Sequence, residues 1–295
     1  MIRPLFSYAG NKFKHLANPR FVELVYGSLR QKGKVYDLAM GAGSIILNAP
    51  NGGVGYEYEP ALFHIFNWLK KSPIEFLEAV EFINESTFSG FSRQQFREKL
   101  HKNAYMELRA SENKRYGDEQ RKFGFMHCAI LTVLIQTSFN SLVRFGPKGY
   151  NVPVGLKVFD QNKVDNIADK INSKGIEFKQ SSLLDVPFQE ISYNDIIYID
   201  PPYLVTSYKY GGWTVEEEMR MYKMLDRMTN CGKRFVLSNV AQYKGEPNST
   251  LLSYLSKRES YIMETVDGIE YNSYVLVDGV DFKNDTVEVV IRNFK

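Results

Sequence analysis

Apolar residues along this chain fall into two patterns. Short, nearly continuous apolar runs bounded by turn formers predict buried strands, and longer stretches with apolar residues three or four apart predict helices. The first pattern covers Val35 to Leu38, Gly52 to Glu59, Ile176 to Lys179, Ile196 to Ile199, Arg234 to Asn239, Tyr274 to Val277 and Thr286 to Ile291. The second covers Asn18 to Leu29, Pro60 to Lys70, Ile74 to Asn84, Asn162 to Ser173 and Glu216 to Met228, and Ile45 to Leu47 begins a further helix after Ser44. Phe123 to Phe139 is the most apolar long stretch; broken by His127 and Gln136 and too short for a membrane span, it predicts a buried helix. Strands alternate with helices at both ends of the chain while the middle is helical. This is the pattern of an α/β core, here 1–59 and 151–295, carrying a helical insertion at 60–150.

The run Asn194 to Tyr203, NDIIYIDPPY, predicts a buried parallel strand that ends at Asp200. Pro201 and Pro202 fix φ and supply no backbone donors, so a central strand cannot continue through them. The turn they form leaves the carboxyl end of a strand, where open α/β sheets place their ligands. It offers the Asp200 carboxylate, a backbone carbonyl at Asp200 or Pro201, and the ring of Tyr203. Such a turn can accept both hydrogens of a planar exocyclic amine while the ring stacks on the attached base. An amine whose lone pair is delocalised into a ring is a poor nucleophile, and fixed acceptors favour its more reactive geometry. The competing reading is a plain strand-end turn, with Asp200 capping a helix and Tyr203 covering the surface.

A second constellation lies at Lys34 to Ala49, KVYDLAMGAGSIILNA, where a strand runs into a turn containing Gly41 and Gly43. Glycines there let a nucleotide-like molecule approach the backbone, and Asp37 reaches its amino-acid end. No Gly-Lys-Ser/Thr ending follows, which disfavours ATP. Glu57 stands 14 residues after Gly43 near the end of the next strand, positioned to accept from ribose hydroxyls; Glu59 is its local rival, and an exposed strand-end charge is the alternative. Near the amino terminus, Lys12 follows the small pair Ala9-Gly10 and can approach a carboxylate or carbonyl of a small molecule, or lie in a solvated basic turn.

Composition alters this picture in one region. The 295-residue chain is 44% hydrophobic and 14% aromatic, enough for a sizeable core, and its net charge is only +3. Residues 93–122 alone carry nine Lys or Arg against five Asp or Glu, so the rest of the chain is slightly acidic. A basic helical insertion suits phosphate contacts, with a mixed-charge solvated surface as the alternative. Just beyond it, Arg144 has the bidentate fork that suits guanine or a phosphate, Asn140 can pair with an adenine edge, and Phe145 or Tyr150 can pack against an opened base pair. The two cysteines and four histidines show no metal-ligand spacing, so no metal is expected. The start, MIRPLFSYAG, has no basic region leading into an apolar signal segment, and an internal, reducing compartment is the expectation.

Taken together, SYAGNK at Ser7 to Lys12, DLAMGAGS at Asp37 to Ser44, YEYE at Tyr56 to Glu59, GYNVPVG at Gly149 to Gly155 and DPPY at Asp200 to Tyr203 resemble the Dam family of DNA adenine methyltransferases. The motifs keep the family's order and span nearly the whole chain. The resemblance implies a Rossmann-like methyltransferase core with a mainly helical target-recognition insertion. It implies S-adenosyl-L-methionine as cofactor, held by Tyr8, Lys12, Asp37, Gly41, Gly43, Glu57 and Asp185, with Asp185 accepting from the cofactor adenine. Asp200, Pro201 and Tyr203 are then catalytic, and Asn140, Arg144 and Tyr150 contact double-stranded DNA. It further implies direct methyl transfer to a flipped adenine, a monomer or weak dimer with no required protein partner or membrane, and the cytoplasm of a bacterial cell or phage-infected host. Gly146-Pro147 replaces the family's asparagine-bearing turn and the approach to Tyr150 is one residue shorter, so the resemblance leaves the target sequence open, GATC included. An RNA or protein methyltransferase on the same core, and a non-catalytic DNA-binding relative, are the rival readings.

Overall fold

The computed structural model describes residues 1–7, 10–114, 123–207, 212–266, 270–271 and 286–295. It shows a mixed α/β fold in which a central sheet is flanked by helices and a largely helical stretch interrupts the run of strands. The strands are β1 (Val35–Asp37), β2 (Gly53–Glu57), β3 (Phe145–Gly146), β4 (Gly149–Tyr150), β5 (Glu177–Gln180), β6 (Ile196–Ile199), β7 (Phe235–Tyr243), β8 (Glu246–Pro247), β9 (Ile262–Thr265), β10 (Glu270–Tyr271) and β11 (Thr286–Arg292). The α-helices are α1 (Pro19–Val22), α2 (Pro60–Lys71), α3 (Pro73–Phe88), α4 (Arg93–Arg97), α5 (Lys102–Asn113), α6 (Phe125–Thr137), α7 (Gln161–Lys174), α8 (Leu204–Ser207), α9 (Val215–Asn230) and α10 (Ser249–Leu255). The strand expected at Tyr274 to Val277 lies outside the described residues.

Two compact units make up the chain. The sheet unit, residues 14–40, 49–56 and 181–295, runs β10-β9-β11-β7-β6-β1-β2, with β8 paired to β7. Strands β2, β1, β6 and β7 are parallel, and β11, β9 and β10 continue the sheet antiparallel. All four residues of β6 are buried, as a strand covered on both faces requires. Ile197, Ile199, Leu237, Val289 and Ile291 form one apolar cluster with Met221 and Leu225 of α9. That helix starts at a capping box in which Thr214 and Glu217 each bond the other's backbone N–H.

The helical unit, residues 1–13, 41–48 and 57–180, contains α2 to α7. Helix α6 buries every residue from His127 to Thr137, so its all-round apolar sequence reflects a core position. Helix α2 opens with Glu59 as its cap and Pro60 in its first turn. The helix expected from Ile45 does not propagate: only a single 3-10 turn forms at Ile46–Asn48. Asn48 spends its side chain on the backbone of Ile2 and on the Ser44 carbonyl, and Pro50 follows, so both local hydrogen bonding and proline geometry end the turn. Strand β9 and helix α10 were not foreseen in the sequence pattern.

Asp195 fixes the entry to the central strands. Its carboxylate accepts the backbone N–H of Lys34 at 2.8 Å and that of Ser192 at 3.2 Å, and it is buried. Asp195→Ala should leave both donors without an acceptor and lower the unfolding free energy by about 2 to 4 kcal/mol. Urea denaturation of parent and variant measures this directly, and an unchanged midpoint and slope would refute the assignment.

Candidate active site

In the sheet unit, the register sets Asp37 opposite Tyr198, so β1 and β6 end side by side with Asp37 and Asp200 at their carboxyl ends. Asp37 is buried, whereas Asp200 is partly exposed. Pro201 is buried and Pro202 exposed, and Tyr203 donates its hydroxyl to Asp200 Oδ1 at 2.7 Å. Burial, followed by the charges of Asp200 and Glu288, holds the Tyr203 hydroxyl well above the ordinary tyrosine range. It is therefore a fixed donor and not a base. Burial and the same carboxylate, with Asp37 adding to it, raise Tyr198 likewise, and Tyr198 shares a 2.7 Å hydrogen bond with Ser238 of β7. The sheet end is thus a concentration of negative charge, suited to a cationic ligand and to the hydrogens of an amine.

The glycine turn belongs to the helical unit. Gly41 and Gly43 have φ of 51° and 80°, and a Cβ on Gly43 would come within 3.0 to 3.3 Å of Leu47 and Phe66. Larger residues are excluded there by both conformation and space. Glu57 is buried and closes the turn: one oxygen accepts the Gly41 N–H at 2.9 Å and the other the Glu59 N–H at 2.8 Å. Burial pushes its carboxyl up to about 7, opposed by those backbone hydrogen bonds. A carboxylate oxygen that accepts one N–H still has capacity for a hydroxyl. Ser44, in the same turn, is buried, and among the described residues its hydroxyl meets no partner. A buried hydroxyl in a turn that a carboxylate also bonds fits a ligand with hydroxyl and charged groups, so this donor set suits the nucleoside cofactor expected there.

The remaining expected cofactor residues are differently placed. Lys12 is buried and donates to the Gly10 carbonyl at 3.1 Å, so it supports its own turn. Asp185 ends the one-turn 3-10 helix Leu183–Asp185, is exposed, and pairs with Arg220 at 3.7 Å. Tyr8 lies outside the described residues. Glu59 caps α2 by accepting from the Ala61 N–H at 3.3 Å, which accounts for that carboxylate without a ribose.

The expected DNA contacts gather on a small hairpin, β3 and β4, in the helical unit. Arg144 precedes it and is exposed; Asn140, also exposed, sits in the left-handed region at φ 53°. Tyr150 does not meet the expectation of packing against DNA. It is only 1% exposed, its hydroxyl donates to the Leu142 carbonyl at 2.8 Å, and its ring packs edge-on to Phe145. Its backbone N–H and C=O are both bonded by the Asn113 side chain at 2.9 Å, so Tyr150 anchors the hairpin to α5.

Sequence reasoning missed Glu218. Fully buried in α9, it accepts from the Trp213 indole at 2.5 Å, the Tyr222 hydroxyl at 2.6 Å and the Asn239 amide at 3.3 Å. Its spacing to Tyr222 is that of one helix turn, the one local signal available; the bonds to Trp213 and Asn239 carry none. Glu288, whose charge reaches Tyr203, was also missed, because its strand is brought there only by the sheet.

A family model described as D12 class N6 adenine-specific DNA methyltransferase matches residues 8–266. Among curated proteins, the chain is 29% identical over 234 residues to modification methylase LlaI of Lactococcus lactis subsp. lactis, covering 76% of this chain and 35% of that protein. It is 28% identical over 177 residues to Type II methyltransferase M.FokI of Planomicrobium okeanokoites, covering 56% of this chain and 26% of that protein. It is 22% identical over 251 residues to Type II methyltransferase M1.LlaDCHI of Lactococcus lactis subsp. cremoris, covering 81% of each. The chain therefore spans about a third of the length of the first of these relatives and about a quarter of the second.

The raised Glu57 carboxyl makes a signed prediction. Its folded-state value, about 7, lies above the unfolded value of 4.5, so its ionisation opposes folding at pH 8 and this opposition is relieved as pH falls through 7 toward 4.5. Relative to Glu57→Gln, the parent should gain up to about 3 kcal/mol of stability between pH 8 and pH 5. Urea unfolding of both proteins across that range provides the comparison, and parallel pH profiles would contradict it.

Proposed function

Because this chain belongs to the D12 class N6 adenine-specific DNA methyltransferase family, we propose that it transfers a methyl group from S-adenosyl-L-methionine to N6 of a flipped adenine within a short duplex DNA target. The observation that carries this reading is the Asp200 carboxylate, held by the Tyr203 hydroxyl, on a proline turn at the carboxyl end of β6. Bound S-adenosyl-L-methionine supplies an activated methyl group. Glu57 and the Gly41 to Ser44 turn of the helical unit are the residues that would hold it.

The chain's own part is to prepare the acceptor. Asp200 accepts a hydrogen of the exocyclic amine, and the backbone carbonyl of Asp200 or Pro201 takes the other. Both acceptors oppose delocalisation of the nitrogen lone pair into the ring and stabilise the positive charge that develops on nitrogen. The extra proton then leaves to water, since an N-alkylated cationic amine is acidic. Tyr203 keeps Asp200 in one orientation through its hydroxyl while its partly exposed ring provides the stacking face. Unstacking the target costs a few kcal/mol, offset by contacts of this kind. The helical unit presents Arg144 for base recognition and exposed Arg93, Arg97, Lys99 and Lys102 for phosphates. A cytoplasmic setting, in a bacterial cell or a phage-infected host, agrees with the free thiols of Cys128 and Cys231. Among the described residues no helix is long and apolar enough to cross a membrane.

Asp200→Ala should bind S-adenosyl-L-methionine as the parent does, by isothermal titration, yet lose on the order of 10²-fold or more in single-turnover rate on duplex DNA. Nucleoside analysis of the parent's product should yield N6-methyladenine. Methylcytosine as the sole product, or methyl transfer to RNA or protein but not to DNA, would overturn the substrate assignment; a parent-like rate in the variant would overturn the role of Asp200.

A further inference from the structure

Among the described residues, the Arg144 guanidinium is held by Asn151 alone, across the mouth of the β3–β4 hairpin. The Asn151 N–H donates to the Arg144 carbonyl at 3.1 Å, which closes the hairpin ladder. In return, Arg144 Nε donates to Asn151 Oδ1 at 2.7 Å and Nη2 donates to the Asn151 carbonyl at 3.2 Å. Gly146 leaves the room for this clasp, because a Cβ there would fall 2.7 Å from Asn151 Nδ2.

The clasp lies in solvent, where hydrogen bonds add little to stability. The hairpin backbone is fixed by other means: the Asn113 amide on Tyr150, and the Tyr105 hydroxyl and Arg109 guanidinium on the Val152 carbonyl at 2.9 and 2.7 Å. What the clasp determines is the direction of the guanidinium. It occupies the Nε–Nη2 edge, and among the described residues no protein group bonds Nη1, so the Nη1–Nη2 edge keeps two parallel N–H groups that match O6 and N7 of guanine in the major groove. An arginine already held in its reading pose loses less side-chain freedom on binding than one that must be ordered by the DNA.

We propose that Asn151 is a positioning residue for base recognition, which presents the Nη1–Nη2 edge of Arg144 to a guanine of the target. The proposal rests on the reading of Arg144 as a base-reading residue. It is tested on the full-length protein by binding selection at fixed salt from a pool of short duplexes randomised around one adenine, so the readout does not depend on methyl transfer. Arg144→Ala should lose roughly tenfold or more of discrimination at one G·C position. Asn151→Ala should lose about three- to tenfold at that same position, with an unchanged melting temperature. The double variant should discriminate no worse than Arg144→Ala alone, because both changes remove one interaction. Asn151→Asp keeps an oxygen facing Nε and should retain the parent preference. Additive losses in the double variant, a loss at a different position, or a uniform loss of affinity for all sequences in Asn151→Ala would overturn the positioning role while leaving Arg144 as reader. A base preference unchanged by Arg144→Ala would overturn the base-reading assignment, and the proposal with it.

Discussion

The chain cannot continue as a strand beyond Ile199, and the sheet unit is arranged around that stop. Strand β6 lies between β1 and β7, so each further residue would have to bond neighbours on both sides, and Pro201 and Pro202 have no N–H to give. The chain must leave the sheet, and it leaves with Asp200 at the edge of the hydrogen-bonded core, beside the end of β1 that carries Asp37. Tyr203 turns back far enough to donate to Asp200 Oδ1. One covalent constraint thereby places a carboxylate, its orienting donor and an aromatic ring within four consecutive residues. Bonds to β7 support that placement: Tyr198 of β6 is fixed to Ser238, and Glu218 of α9 accepts from Asn239 as well as from Trp213.

Features set by neighbouring residues were legible in the sequence. The apolar run IIYI followed by two prolines identifies a buried strand and its end, and the glycines after β1 identify a turn open to a ligand. Features set by distant partners were not. Glu57 was read as a ribose acceptor or an exposed strand-end charge; that it orders the glycine turn depends on an N–H 16 residues away. Tyr150 was read as a ring able to pack against an opened base pair, but Asn113, 37 residues earlier, bonds its backbone and the ring lies in the interior. The helix expected at Ile45 gives way to Asn48, whose amide reaches Ile2 across 46 residues. In each case a polar side chain satisfies a backbone group remote in sequence, and neither apolar periodicity nor local spacing encodes such a bond.

Burial distinguishes the groups proposed for methyl transfer from those proposed for DNA recognition. Asp37 and Glu57 are buried and Asp200 and Tyr203 partly so, whereas Asp185 is exposed; at Glu57 and Tyr203 desolvation disfavours the charged form, raising the carboxyl and keeping the hydroxyl protonated. Changes there act on the fold and the chemistry together. Arg144 and Asn151 stand in solvent on a hairpin whose backbone is anchored one layer further in, by Asn113, Tyr105 and Arg109. Exchanging side chains at the exposed positions Arg144, Pro147, Lys148 and Asn151 therefore alters what the hairpin presents without disturbing what holds it. If the hairpin reads DNA as proposed, exchanges at these positions change the target while the anchoring bonds behind it stay as they are.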